Sequence, residues 1–252
     1  MPTVPHRILV TGAAGAVGRA VCRALGERGH AVRGFDRSPA PELADFVQGD
    51  LAESRALGGA CDGVDTIIHL AANPTDAPFL ERLVPDNIVG TWRVFEAAAL
   101  RGVGRVIFAS TLQVVDGLPR EPGRSLGVDA GTACRNLYAA TKVLGEEIAR
   151  VYAHRHGLST LAARIGWLPR GAYDVETLRR SPAARDIYLG RGDCGRFFCC
   201  AVEATRPAPG ESAVLYATSL ALGPAPFDPA PAERLIGYAA RERWPEGLGE
   251  LG

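Results

Sequence analysis

The chain has no excess of charge of either sign: 28 Lys and Arg balance 28 Asp and Glu over 252 residues. Its pI near 7.0 offers no electrostatic footprint for nucleic acid or an anionic membrane. Paired basic residues such as Arg179 and Arg180 read as a solvated face. No apolar run approaches the ~18 residues that a bilayer-crossing helix needs. The stretch Met1-Pro2-Thr3-Val4-Pro5 leads straight into the first apolar run, so no cleaved signal sequence is expected. The cytoplasm is the expected compartment. Six cysteines are present, at 22, 61, 134, 194, 199 and 200, but no C-x-x-C and no histidine pair at zinc-like spacing. No metal is expected, and Cys199 and Cys200 read as small buried residues on a helix. There is no internal repeat. What remains is the composition of an ordinary globular protein, 47% hydrophobic and 22% charged.

The patterning of that composition is regular. Ile8 to Val10 form a short apolar run, followed by Gly12, Gly15 and Gly18 and then by Ala20, Val21, Ala24 and Leu25 at helical spacing. Strand, glycine turn and helix in that order make a phosphate cradle, because glycine lets the backbone approach an anion and the helix N-terminus presents free N–H groups. A second strand over 31–36 ends at Asp36, an acid placed to accept hydrogen bonds from an adenosine ribose. Further strands are expected at 45–48, 66–70, 105–109 and 158–164, separated by helices at 53–60, 79–101 and 134–156. Strands that are apolar throughout and alternate with helices imply an α/β fold, a Rossmann-type doubly wound parallel sheet. The pattern weakens after Arg164. A short helix near 174–180, a helix at 193–204, a strand at 213–217, a helix at 231–243 and a frayed glycine-rich tail are expected there. The division that follows is a dinucleotide-binding domain over 1–170 and a small substrate-binding extension over 171–252.

Chemistry enters with Tyr138-Ala139-Ala140-Thr141-Lys142. Tyr and Lys at i and i+4 share one helix face, and an ammonium beside a phenol lowers its pKa from about 10 towards neutrality. Such a phenol can exchange a proton with a substrate hydroxyl or carbonyl. Ser110 and Thr111 stand at the carboxyl end of the fifth strand, where open α/β sheets bind ligands, and can polarise a substrate oxygen. Glycine turn, acid, hydroxyl pair and Tyr/Lys pair together describe a site for hydride transfer to a nicotinamide cofactor.

The sequence resembles the extended short-chain dehydrogenase/reductases, the NAD-dependent epimerase/dehydratase family, over residues 6–170. Thr11-Gly12-Ala13-Ala14-Gly15-Ala16-Val17-Gly18 is similar to that family's TGxxGxxG loop, and Tyr138 to Lys142 to its YxxxK. The resemblance implies that Asp36 and Arg37 border the ribose and that Asp50 and Leu51 contact adenine. It implies further cofactor contacts from Leu70, Ala71 and Ala72, from Asn87 in Asn87-Ile88-Val89-Gly90-Thr91, and from Ser110 and Ile165. NAD is the implied cofactor, since Asp36 repels the extra phosphate of NADP; Arg37 leaves dual use open. Thr111, Tyr138 and Lys142 are the implied catalytic residues.

Within the family the chain is most similar to uronate dehydrogenases, through Phe108 to Thr111, Ala163 to Gly166 and Arg185 to Gly190 with Asp193. The resemblance implies a small sugar acid or related polar substrate and a carboxylate clamp at Arg185. Asn73, Leu112, Gln113 and Trp167 join Thr111 and Tyr138 as implied substrate contacts. Leu112 and Gln113 replace an Asn and a His, and Pro74 replaces a serine, which makes the site drier. A homodimer through the helices at 79–101 and 134–156 is also implied. The alternatives are a sugar-nucleotide epimerase or dehydratase and a non-catalytic NAD(P)-sensing protein.

Overall fold

In the computed structural model, residues 5–121 and 123–248 are described; the expected glycine-rich end at 249–252 and the first four residues lie outside them. Seven parallel strands form one sheet: β1 (Arg7–Thr11), β2 (Ala31–Asp36), β3 (Asp45–Gln48), β4 (Thr66–His69), β5 (Arg105–Thr111), β6 (Ser159–Ile165) and β7 (Ser212–Ala217). Their order is β3-β2-β1-β4-β5-β6-β7. It reverses between β1 and β4, which opens a crevice at the carboxyl ends of these two strands.

Alternation along each strand feeds two cores. Ile8 and Val10 of β1, Ile68 of β4 and Ile107 of β5 face α1 (Ala16–Glu27) and α7 (Arg191–Glu203), meeting Val21, Leu25, Phe197 and Phe198. Leu9, Ile67, Val106 and Phe108 face the other way. There they pack against Leu57 of α2 (Ser54–Ala60), Val94 and Phe95 of α3 (Gly90–Leu100), and Ala149 and Tyr152 of α4 (Leu137–His156). The last third is woven into this frame: β7 pairs with β6, and α7 lies along α1. Cys199 is buried and Cys200 half-buried on α7, and all six cysteines are free thiols.

Several expected elements differ in extent. The helix expected at 79–101 runs without a break to Leu100 but changes its winding, π-helical over Phe79–Val89 and α-helical in α3. Pro85 supplies no N–H and its ring needs room in the preceding turn, which favours wide turns such as Leu83 N–H to the Pro78 carbonyl (3.3 Å). Strand β5 runs on to Thr111, two residues beyond 109. Helix α4 starts at Leu137, not 134, because the Asn136 side chain caps it by accepting the Ala139 N–H at 2.8 Å. Short helices α5 (Ala172–Arg180) and α6 (Pro182–Arg185) precede α7.

The helix expected over 231–243 is only α8 (Ala230–Ile236), stopped by Gly237 at φ 70°. Beyond it the backbone N–H groups of Arg241 and Glu242 turn to the carboxylate of Asp193, at 2.9 Å each. Asp193 is fully buried and also accepts the Ser219 hydroxyl at 2.7 Å. The buried carboxylate thus holds the segment beyond the helix against α7.

Candidate active site

The crevice at the sheet reversal is a cavity of about 250 Å³ lined by the glycine turn, Asp36, Arg37, Asp50, Leu51 and the residues that follow β4, Leu70, Ala71 and Ala72. Gly12 holds φ at 75°, and a Cβ there would come within 2.6 Å of the Ala71 backbone nitrogen. A Cβ on Gly18 would collide with the Gly12 carbonyl, so only glycine lets α1 press onto the turn. Helix α1 has no side-chain cap and no acid in its first turn, which leaves its N–H groups and positive pole open to an anion. Asp36 is fixed by two backbone donors, Ala14 N–H at 3.0 Å and Ser38 N–H at 2.9 Å. Its remaining lone pairs suit ribose hydroxyls. Arg37 lies 3.5 Å from both Asp50 and Asp86 at the outer edge. These residues fit a dinucleotide: anion cradle, ribose acceptor and apolar walls in one groove.

A second cavity of about 460 Å³ adjoins the first, with Val17, Pro74 and Arg170 lining both. Thr111 and Tyr138 face it, together with Leu112, Gln113, Ile165 and Trp167. Thr111 ends β5, where its Oγ1 accepts the Gln113 N–H at 3.3 Å, and Tyr138 sits in the first turn of α4. The two hydroxyls interact, which favours the phenolate. Asn136 donates to Gln113 Oε1 at 2.7 Å, so the side chain that caps α4 also orients Gln113.

Lys142 lies one turn below Tyr138, its Nζ donating to the Ala109 carbonyl at 2.8 Å and standing 5.9 Å from the Tyr138 ring centroid and 4.9 Å from that of Phe108. Burial dominates both groups. It raises the Tyr138 phenol above its ordinary value, against the lowering effects of the Thr111 hydroxyl and the Arg170 charge. It pushes Lys142 down to about 7. The lowering expected from the Tyr138–Lys142 spacing does not prevail: the groups that lower the phenol are Thr111 and Arg170, and loss of solvent outweighs them. Of the 28 basic residues Lys142 is the only lysine. An amine can shed its proton near neutral pH and a guanidinium cannot, so lysine stands where proton exchange is useful. The single lysine makes this measurable: with carbon-13 at Lys Cε and no added nucleotide, one resonance should titrate near pH 7. Titration at the ordinary value near 10 would contradict the burial argument.

Other sequence-expected residues lie differently. Ser110 points away from the cleft and donates to Glu146 Oε1 at 2.5 Å. Glu146 is gripped in turn by Arg164, Nε and Nη2 each at 2.9 Å, and all three residues are buried. Asn87 receives the Asn73 N–H at 2.7 Å and donates to the Asn73 carbonyl and the Thr141 hydroxyl, tying the loop after β4 to α4. Arg185 donates to the Arg179 carbonyl at 3.2 Å and lines neither cavity. Arg170, which the residue pattern did not single out, lines both. Its only signal is its position, six residues beyond Arg164 on the segment leaving β6.

A family model for the NAD dependent epimerase/dehydratase family matches residues 8–168. The chain belongs to that family. As a member it is an NAD-dependent enzyme of oxidoreductase type, with NAD as its cofactor. It is 35% identical over 215 residues to an L-arabinose 1-dehydrogenase (NAD(P)(+)) of Haloferax volcanii, spanning 80% of this chain and 84% of that protein. It is 37% identical over 173 residues to a uronate dehydrogenase of Pseudomonas putida, spanning 66% of this chain and 63% of that one. The fold matches a uronate dehydrogenase from Agrobacterium tumefaciens complexed with NAD, with TM-score 0.78, 26% identity, and coverage of 95% of this chain and 86% of the other. No helix among the described residues is long and apolar enough to cross a membrane, and these residues hold no cluster suited to a metal.

Proposed function

We propose that this family member oxidises a hydroxyl-bearing carbon of a sugar acid or related small polar substrate, in the manner of a uronate dehydrogenase. The observation that carries the reading is the meeting of Thr111 and Tyr138 at the wall of a cavity contiguous with the dinucleotide groove. Bound NAD supplies the hydride acceptor. Thr111 holds the substrate oxygen by hydrogen bonding, and Tyr138 as phenolate takes its proton. Lys142 binds near the nicotinamide ribose. Asp36 and the glycine turn hold the adenosine half. Segment 171–248 supplies the substrate-binding extension, with Ile187 lining the cavity.

The enzyme works as a cytoplasmic homodimer in this reading. Free thiols persist in a reducing compartment, and all six cysteines are free. Leu80, Trp92 and Leu100 on the 79–100 stretch, with Leu137, Leu144 and Val151 on α4, are exposed apolar side chains on the two helices expected to pair.

A panel of hexuronates, neutral aldoses and small hydroxy acids, each with NAD and monitored by the absorbance of reduced nicotinamide, tests the reading. Reduction by a sugar is expected. Failure of the whole panel would reject it.

A further inference from the structure

The substrate cavity is acidic or neutral along most of its wall and cationic at one place. Asp76 and Asp116 line it, Asp76 accepting the Tyr138 N–H at 3.3 Å and Asp116 lying within the fields of Arg120 and Arg135. Arg170 is the one cation among the described residues that lines this cavity. Its backbone N–H is fixed by Asp174 Oδ2 at 2.8 Å, and the same oxygen stands 3.6 Å from its Nε. That contact orients the guanidinium from the side. Among the described residues no hydrogen bond takes up Nη1 or Nη2, so the outer edge of the fork is open. Arg185 is turned elsewhere, its Nη2 on the Arg179 carbonyl and its Nε enclosed without a partner.

We propose that Arg170, not Arg185, is the specificity-determining cation of this site, pairing with an anionic group of the sugar, a carboxylate or a phosphate ester, while Thr111 and Tyr138 hold the reacting hydroxyl. The inference rests on the functional reading above. An anion entering the cavity is repelled by Asp76 and Asp116 and, among the described residues that line it, finds its counter-charge at Arg170, which fixes the orientation of the sugar. The fork geometry of the guanidinium suits both anions. Charge from Arg170 also reaches the Tyr138 phenol, so the acid-binding end and the reacting end are electrostatically joined.

The experiment compares a hexuronate, a hexose phosphate and a neutral hexose in the parent enzyme and in Arg170→Gln, Arg170→Lys and Arg185→Gln. Loss of a half-exposed charge-assisted pair should raise KM for the preferred anionic sugar by about 10- to 100-fold. The KM for the neutral hexose and the Kd for NAD should stay nearly constant. Arg170→Lys should recover part of the loss, since it keeps the charge and drops the fork. The two anionic sugars tell carboxylate from phosphate. A rise in the NAD Kd with unchanged sugar KM would assign Arg170 to the dinucleotide and overturn the proposal. So would an anionic-sugar KM that responds to Arg185→Gln and not to Arg170→Gln. Turnover of the neutral hexose alone would overturn this inference and leave the dehydrogenase reading standing, whereas no NAD reduction by any sugar would remove both.

Discussion

Replacing Tyr138 with Phe should lower turnover by about 10²- to 10⁴-fold, the usual contribution of a positioned acid–base group, and leave NAD affinity nearly unchanged. The ring stays in place beside Lys142 and only the proton-carrying oxygen is lost. The pH dependence follows from the direction of the phenol's shift. Burial raises it above the ordinary tyrosine value, and the phenolate is the base that oxidation needs. Oxidation should therefore accelerate as pH rises and level off only in the alkaline range. Reduction, which needs the phenol, should slow over the same interval. Thr111 and Arg170 pull against burial, and Lys142, Asp76 and Asp116 are the other titratable groups near the phenol. Initial rates of the parent and of Tyr138→Phe across pH check this. Parent-like turnover in the variant would refute the acid–base assignment.

The second large effect is on stability. Glu146 sits one turn beyond Lys142 on α4, where it receives the Ser110 hydroxyl from β5 and the Arg164 fork from β6. Removing one partner of a buried pair leaves the other charged and dry. Glu146→Ala should therefore destabilise by about 3–5 kcal/mol, a fall in Tm on the order of 10 °C for a chain of this size. Arg164 Nη1 is already enclosed without a hydrogen bond, and the Tyr216 side chain, the other group interacting with this guanidinium, carries no charge to replace the carboxylate. Glu146→Gln should cost less, because the amide oxygen can still accept. Calorimetry of the two variants measures both, and a Tm for Glu146→Ala within a degree of the parent would contradict the account. Because the pair joins α4 to the ends of β5 and β6, its loss should also loosen Thr111 against Tyr138.

Local patterns made much of this molecule legible in advance. The glycine turn, the acid ending β2 and the buried strands each follow from residues within a few positions of one another, and the strand–helix alternation fixes the parallel sheet. The Tyr138–Lys142 spacing likewise identifies a shared helix face. It does not reveal that burial dominates both groups, since burial depends on Phe108, Ala109 and the rest of β5. Asp193 is the clearest case of long-range control. Nothing near it in the chain shows that it will collect donors from 219, 241 and 242 and so hold the segment beyond the last helix. Ser110 and Thr111 are neighbours with the same chemistry, but strand alternation sends one hydroxyl to Glu146 and the other to the cavity. The two arginines carry the same lesson, for composition cannot tell which guanidinium lies on the cavity wall and which lies across a neighbouring carbonyl.

The central claim is that NAD leaves this enzyme reduced. The direct measurement is a mass balance on one sugar substrate, comparing reduced nicotinamide formed with sugar consumed and identifying the product. The account predicts one equivalent of NADH per sugar and a product oxidised by two electrons. Conversion of the sugar to an isomer, with no net NADH, would contradict it and place the chain among the family's epimerases.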